Sequence, residues 1–205
     1  MLCELDHFAV AAERLEDGVA WVEDRLGISL APGGQHPAMG THNRLLGLGP
    51  GLYLEVISIH PEAAPPGRAR WFDLDRFAGR PRVTNWILRT GDIDAALEQA
   101  PEGAGVPMPL KRGDFRWRMA VPGDGILPFD NAFPAMIQWD CTVHPADRLA
   151  DAGCRLRRLE IAHPEPVALT EALSQMLDDQ RVAVVAGDPA MRAEIETPAG
   201  VRVLE

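Results

Sequence analysis

Lysine is nearly missing from this chain: of its 20 basic residues only Lys111 is a lysine. Arginine serves on any surface, and a coding bias towards it is the plain reading. Its planar fork also pairs bidentately with carboxylates and phosphates, so some of these side chains can belong to a site. Positive charge is in deficit overall, with a formal net charge of −10 and a pI near 5.0. Such a chain repels phosphate backbones on average, which argues against nucleic acid as a partner. Cysteine is scarce: Cys3, Cys141 and Cys154 are odd in number and form no CxxC pair. That argues against a disulfide framework or a structural zinc site and fits a reducing cytoplasm. No apolar run approaches the ~18 residues of a membrane span. The run 1–10 lacks a basic n-region and a long apolar h-region, so it does not read as a secretory signal. GxSxG, HExxH, Walker A and GxGxxG sequences are all absent, and the corresponding enzyme classes lose support.

What is present is a globular composition. The 205 residues are 46% hydrophobic and 24% charged, enough for one ample core or two small modules sharing one. Residues 5–11 (LDHFAVA) read as a strand carrying His7. Residues 15–26 repeat apolar side chains at Leu15, Val19, Val22 and Leu26, a helical period, with Gly27 at the C-cap position. The glycine- and proline-rich stretch 31–40 is expected to be a loop or an irregular strand. Residues 43–48 and 52–59 read as strands joined by the turn Gly49-Pro50-Gly51. In the second, Tyr53, Glu55 and Ile57 share one face, and Leu54, Val56 and Ser58 the other.

The order β-α-β-β-β then returns. Residues 83–90 form a strand, Asp92 is an N-cap for a helix through Ile93, Ala96 and Leu97, and 135–140 close the second unit. The link 60–81 carries Trp71, Phe72 and Phe77 and is expected to be packed. A shorter echo follows: strand 156–162, helix 167–177 and three further strands to 204. The expected fold class is therefore α+β in a single domain spanning 1–205, with units at 1–60, 83–140 and a partial third at 152–205. Setting Leu15-Glu16 over Ile93-Asp94 places His7 over Asn85 and Phe8 over Trp86; in the closing strands Glu55 falls over Gln138.

A histidine on the first strand (LDHFAV), the Leu26-Gly27 step after the helix and a glutamate inside the fourth strand (YLEVISI) resemble the vicinal oxygen chelate superfamily. That superfamily includes glyoxalase I, extradiol dioxygenases and bleomycin-resistance proteins. The stretch 33–43 (GGQHPAMGTHN) and the later LEIAHP are similar to the glyoxalase-like domain proteins. The resemblance implies a half-open mixed β-barrel built from two β-α-β-β-β units. In metal-dependent members, the first and last strands of each unit direct side chains onto a divalent metal, which two neighbouring substrate oxygens chelate. Carried over, His7 and Glu55 match the first unit's ligands and Gln138 stands in the second. Asn85 there departs from the usual His, Gln or Glu. The ion would be Zn, Mn, Fe or Ni.

Each candidate has a plainer reading beside it. His7 and Glu55 are metal ligands, with Glu55 also catalytic, or a buried hydrogen-bonded pair. His36, His42 and Asn43 contact substrate or supply an extra metal ligand, or they shape a turn. Trp86, Trp117, Arg118 and Phe129 line a substrate pocket or pack between sheet and helix, the packing being favoured. Glu160 is a third acidic group or general base, or is paired to Arg155, Arg157 or Arg158, the pairing being favoured. Trp139 follows Gln138, so only one of the two can face the barrel. The function expected is a cytoplasmic small-molecule enzyme, a lyase, isomerase or dioxygenase acting on vicinal oxygens. The alternative is a metal-free ligand-sequestering protein of the same fold. Many family members dimerise, and a homodimer is kept as a candidate assembly, although this chain has enough units to close a barrel within one protomer.

Overall fold

A computed structural model describes residues 3–205; Met1 and Leu2, the start of the N-terminal run, lie outside the described residues. The chain forms β1 (Glu4–Ala11), α1 (Leu15–Leu26), β2 (Ala31–His36), β3 (Thr41–Gly47) and β4 (Tyr53–Ile59). The second unit is β5 (Arg82–Arg89), α2 (Ile93–Leu97), β6 (Val106–Arg112), β7 (Phe115–Val121) and β8 (Ala135–Trp139). The C-terminal part is β9 (Arg155–His163), α3 (Pro166–Ser174), β10 (Val182–Ala186), β11 (Ala190–Thr197) and β12 (Gly200–Leu204). Among the described residues no helix is long and apolar enough to cross a membrane.

Eight strands make one sheet in the order β2-β3-β4-β1-β5-β8-β7-β6. In each unit the last strand returns to lie parallel to the first: β4 beside β1 and β8 beside β5. The units meet where β1 and β5 run antiparallel, with Phe8 opposite Trp86, His7 opposite Ile87 and Ala9 opposite Asn85. That pattern is symmetric about the Phe8–Trp86 pair, so His7 and Asn85 do occupy equivalent places. The closing strands correct the expected alignment. Glu55 sits beside Ala9, and the equivalent neighbour of Ile87 is Ala135. Ala135, not Gln138, is therefore the counterpart of Glu55.

Strand alternation divides the apolar side chains between two cores. Ala9, Ala11, Ile57, Ile87, Met119 and Ile137 fill the concave interior. Phe8, Val10, Leu54, Val56, Trp86 and Leu88 face the other way, into a core shared with α1 and the C-terminal strands. The helix stops at Gly27, whose φ of 68° is left-handed and whose N–H reaches the Glu23 carbonyl at 2.8 Å, as a glycine C-cap requires. At the start of α2 the Asp92 carboxylate accepts from the Ala95 N–H at 3.1 Å.

The stretch 31–40 takes the second of its two expected forms, an irregular edge strand, β2, with a register break between Pro32 and Gln35; an edge tolerates proline because one side of its ladder is unpaired. One region differs from the expected fold. The C-terminal part contains every element of a third unit but a different topology, a separate sheet ordered β10-β9-β11-β12. Here the strand after the helix pairs directly with β9 and the last strand ends at the edge. It is a βαβ crossover with an antiparallel hairpin attached, and it covers the outer face of the barrel. The link 60–81 is packed as expected, with Trp71 and Phe72 buried in a short 3₁₀ turn.

Trp86 lies at the pseudo-symmetric centre, fully buried, with its indole N–H donating to the Ala132 carbonyl at 2.8 Å. Trp86→Ala is expected to destabilise the fold by about 3–5 kcal/mol, read as a fall in the urea unfolding midpoint.

Candidate functional site

The site is built from the first unit. The register of β1 against β5 slips between Leu5 and His7. Such a bulge lets two consecutive side chains turn to one side, and Asp6 and His7 are both buried. His7 Nδ1 lies 2.6 Å from Asp6 Oδ1. The other Asp6 oxygen accepts from Trp139 Nε1 at 2.9 Å and from His144 Nε2 at 2.8 Å. Burial alone would push the Asp6 carboxyl up; the hydrogen bonds from His144 and His7 outweigh it and hold the group well below the usual carboxylate range. An ionised carboxylate only accepts, so His7 carries its proton on Nδ1 and turns Nε2 inward.

His7 Nε2 faces Glu55 Oε2 at 3.7 Å. Asn43 Nδ2 donates to the other Glu55 oxygen at 2.5 Å. The orientation of the Asn43 amide follows from its neighbours, because Oδ1 accepts from the Gly34 N–H at 2.7 Å and from Arg112 Nη1 at 3.3 Å. Arg112 ends β6, the opposite edge of the sheet from β2, and also donates to His36 Nε2 at 3.0 Å. It thus bridges the open seam of the barrel. Gly33 and Gly34 permit this approach: a Cβ on Gly33 would lie 2.2 Å from Asn43 Oδ1, and one on Gly34 2.7 Å from Arg112 Cδ.

Arginine cannot accept, so His36 Nε2 is the acceptor and its Nδ1 proton faces Thr41 Oγ1 at 3.0 Å. Burial, then the positive charge of Arg112, lower the His36 pKa to about 3. Tyr53, the single tyrosine, stacks on His7 with centroids 4.4 Å apart. Burial and the nearby Asp6 and Glu55 carboxylates raise its phenol well above the ordinary value. Trp71, Phe72, Trp117 and Trp139 close the remaining walls. The cavity is about 30 Å³, room for about two waters.

Of the residues expected at the site, His7, His36, Asn43, Glu55 and Trp117 come together here. The others do not. Gln138 lies on the outer side of β8, its carbonyl oxygen bound by the Ile93 N–H at 2.9 Å and Arg118 Nη2 at 2.7 Å; alternation makes Trp139 the inward residue. Arg118 is held on that outer side by Asp94 at 2.8 Å. Trp86 belongs to the outer core. His42 packs at a tilt against His60 away from the cavity, and Phe129 packs edge-on to His163. Glu160 is on the C-terminal sheet, paired to Arg158 at 3.1 Å. Missed by the sequence reading were Asp6, Arg112 and His144. Tyr53 was readable, being on Glu55's face.

The divalent metal implied by the resemblance needs ligands from both units. Here the donors His7 Nε2, His36 Nε2 and Glu55 all come from the first, while the second presents Ile87, Met119 and Ala135. The Arg112 guanidinium already contacts His36 Nε2, a fixed positive charge where a cation would need its lone pair. Among the described residues no group of three or more His, Cys, Asp or Glu side chains is arranged to hold a metal ion. The donor set does not fit the superfamily's metal.

Residues 5–177 match the family model described as "Glyoxalase-like domain". A hypothetical protein from Staphylococcus aureus is 15% identical over 92% of this chain and 88% of its own, with a TM-score of 0.63, a likeness of fold. Methylmalonyl-CoA epimerase from Streptomyces coelicolor is 15% identical over 70% of this chain and 100% of its own, at a TM-score of 0.44. The enzyme of that name from Mycobacterium tuberculosis is 18% identical over 66% and 86%, at 0.43. No curated protein matches.

Both histidine and carboxylate make the site acid-sensitive in one direction. The His36 pKa is lowered from 6.5 to about 3, so the unfolded chain takes up this proton first as pH falls. Stability is full above the unfolded value and is lost between pH 6.5 and about 3. Asp6, also lowered, adds a loss below roughly pH 4. Urea midpoints are expected to drop from pH 7 to pH 4, and less steeply in His36→Gln; an equal slope in both would remove His36 as the cause.

Proposed function

Because the chain belongs to the glyoxalase-like domain family of the vicinal oxygen chelate superfamily, we propose that it is a metal-independent acid–base enzyme. Its reaction is of lyase or isomerase type on a small organic anion with neighbouring oxygens. The observation that carries this reading is the buried chain Asp6–His7–Glu55 facing the Arg112 guanidinium across one cavity. Arg112 occupies the role that the divalent ion has in metal-dependent members: a localised positive charge for substrate oxygens.

The roles follow from the atoms. Arg112 turns from His36 and Asn43 onto an oxygen anion, and that movement opens the seam and enlarges a cavity that otherwise holds about two waters. Glu55 removes a proton from the carbon beside those oxygens, and the electron pair moves onto the oxygen facing Arg112. His7, fixed in ring orientation by Asp6, takes that proton from Glu55 on its bare Nε2 and returns it to the carbon. Asn43 orients Glu55, and Tyr53 supports the His7 ring. The aromatic walls exclude water, which strengthens each of these interactions.

The test is hydrogen exchange. Short 2-hydroxy and 2-oxo acids incubated with the protein in heavy water are expected to lose a carbon-bound proton signal by NMR. The rate should fall about 10²–10⁴-fold in Glu55→Gln. Binding without exchange in the parent protein would instead place the chain with ligand-sequestering members. Elemental analysis after exposure to Zn, Mn, Fe and Ni salts is expected to give far less than one ion per chain. A stoichiometric ion removable by chelator would overturn the metal-independent assignment.

A further inference from the structure

A second cavity, larger than the inner one, lies elsewhere. A cleft of about 430 Å³ opens between β5, the link after β4 and the start of β11, a size typical of small-molecule sites. Three independent features converge on it. The first is backbone strain. The non-glycine residues with positive φ are Phe72 (61°), Asp73 (55°), Phe129 (55°), Asp130 (52°) and Asn131 (70°). Four of these line the cleft, on two loops that face each other across it. Conformations of this kind persist where surrounding structure over-determines them, and they gather at ligand clamps.

The second is an unsatisfied amide. Asn85, on the inner face of β5 at the place equivalent to His7, is 0% exposed and lines the cleft. Neither its Oδ1 nor its Nδ2 has a hydrogen-bond partner. A buried amide without partners is destabilising, and its retention calls for an occupant. Both a donor and an acceptor are on offer side by side.

The third is charge. Among the cleft's carboxylates, Asp73 is bound to Arg76 at 2.5 Å, Asp130 faces His163 at 3.7 Å and Glu205 faces Arg192 at 3.8 Å. Arg80 and Arg82 have no carboxylate partner among the described residues, in a chain whose formal charge is −10. Arg82 lies over the Phe77 ring, 4.3 Å from its centroid, and its Nη1 donates to the Ala78 and Arg80 carbonyls at 3.0 and 3.3 Å, which leaves its other guanidinium nitrogens to face a ligand.

We propose that this cleft is a second small-molecule site, for an organic anion with a flat apolar body. The carboxylate or phosphate meets Arg80 and Arg82, the body lies against Phe72 and Phe77, and a hydroxyl or amide group reaches Asn85. The Phe72 side chain walls both this cleft and the inner cavity, so the two sites are neighbours. The proposal does not depend on the chemistry assigned to Glu55 and His7.

Two methionines report on the two places: Met191 lines the cleft and Met119 the inner cavity. The full chain with methyl-labelled methionine is titrated with para-hydroxyphenylacetate and, separately, phenyl phosphate, followed by NMR. The expected result is a saturable shift of the Met191 methyl signal, with the Met119 signal little changed. Whichever probe acts identifies the anion class. Affinity should fall by about ten-fold or more in Arg80→Gln and in Asn85→Leu, the loss expected for a charge-assisted or buried hydrogen bond. Asn85→Leu should melt at or above the parent temperature, since it removes an unpaired amide. No Met191 shift with either probe, or affinities unchanged in both variants, would overturn the proposal. A lower melting temperature with unchanged binding in Asn85→Leu would make Asn85 structural and overturn its part in the site.

Discussion

One buried carboxylate organises the inner site. Asp6 accepts hydrogen bonds from β1 itself, from the end of β8 and from His144 in the segment beyond it. Two of these donors lie more than 130 residues along the chain from Asp6, so a single negative charge pins the second unit and the following connector against the first strand. An ionised group at zero exposure is tolerated only when its lone pairs are fully used. The same bonds fix the ring of His7, and with it the direction of Nε2 towards Glu55. Structural and chemical order at this place have one cause.

The two barrel units share a topology but not their inward-facing side chains. At equivalent places the first carries His7 and the second Asn85; beside these the first carries Glu55 and the second Ala135. The acid–base groups therefore cluster on one side of the pseudo-two-fold axis. The second unit contributes Arg112 and tryptophan walls from β6, β7 and β8. A pseudo-symmetric scaffold thus encloses an asymmetric pocket, because the two units differ at a few inward positions.

Periodicity carried most of the fold in the sequence. The α1 boundaries, the Gly27 cap, the Asp92 cap and the faces of β4 follow from local pattern and are found as read. The repeat also made the His7–Asn85 equivalence visible. What local pattern could not supply was register. An ungapped alignment of the closing strands missed by three residues and put Gln138 where Ala135 belongs, turning an outward residue inward. Asp6 was hidden because a bulge breaks the alternation that would have sent it to the other face. Arg112 and His144 reach the site by tertiary approach of a sheet edge and a connector, which no spacing in the chain encodes. In the C-terminal part the elements were legible and the pairing was not, since strand order is decided by connections rather than by composition.

Arg112 joins the two free edges of the sheet by gripping His36 and Asn43 across the seam. Any guest that needs this guanidinium must take it from those partners. Docking and unlatching are thereby one event, and the wall of the chamber is also its key. Such a guest competes with an intramolecular contact that is always present at high local concentration. Its apparent affinity is scaled down by the fraction of molecules that are unlatched, and because every such guest meets the same latch, the penalty sets how strongly guests bind and leaves the ranking among them to their own contacts.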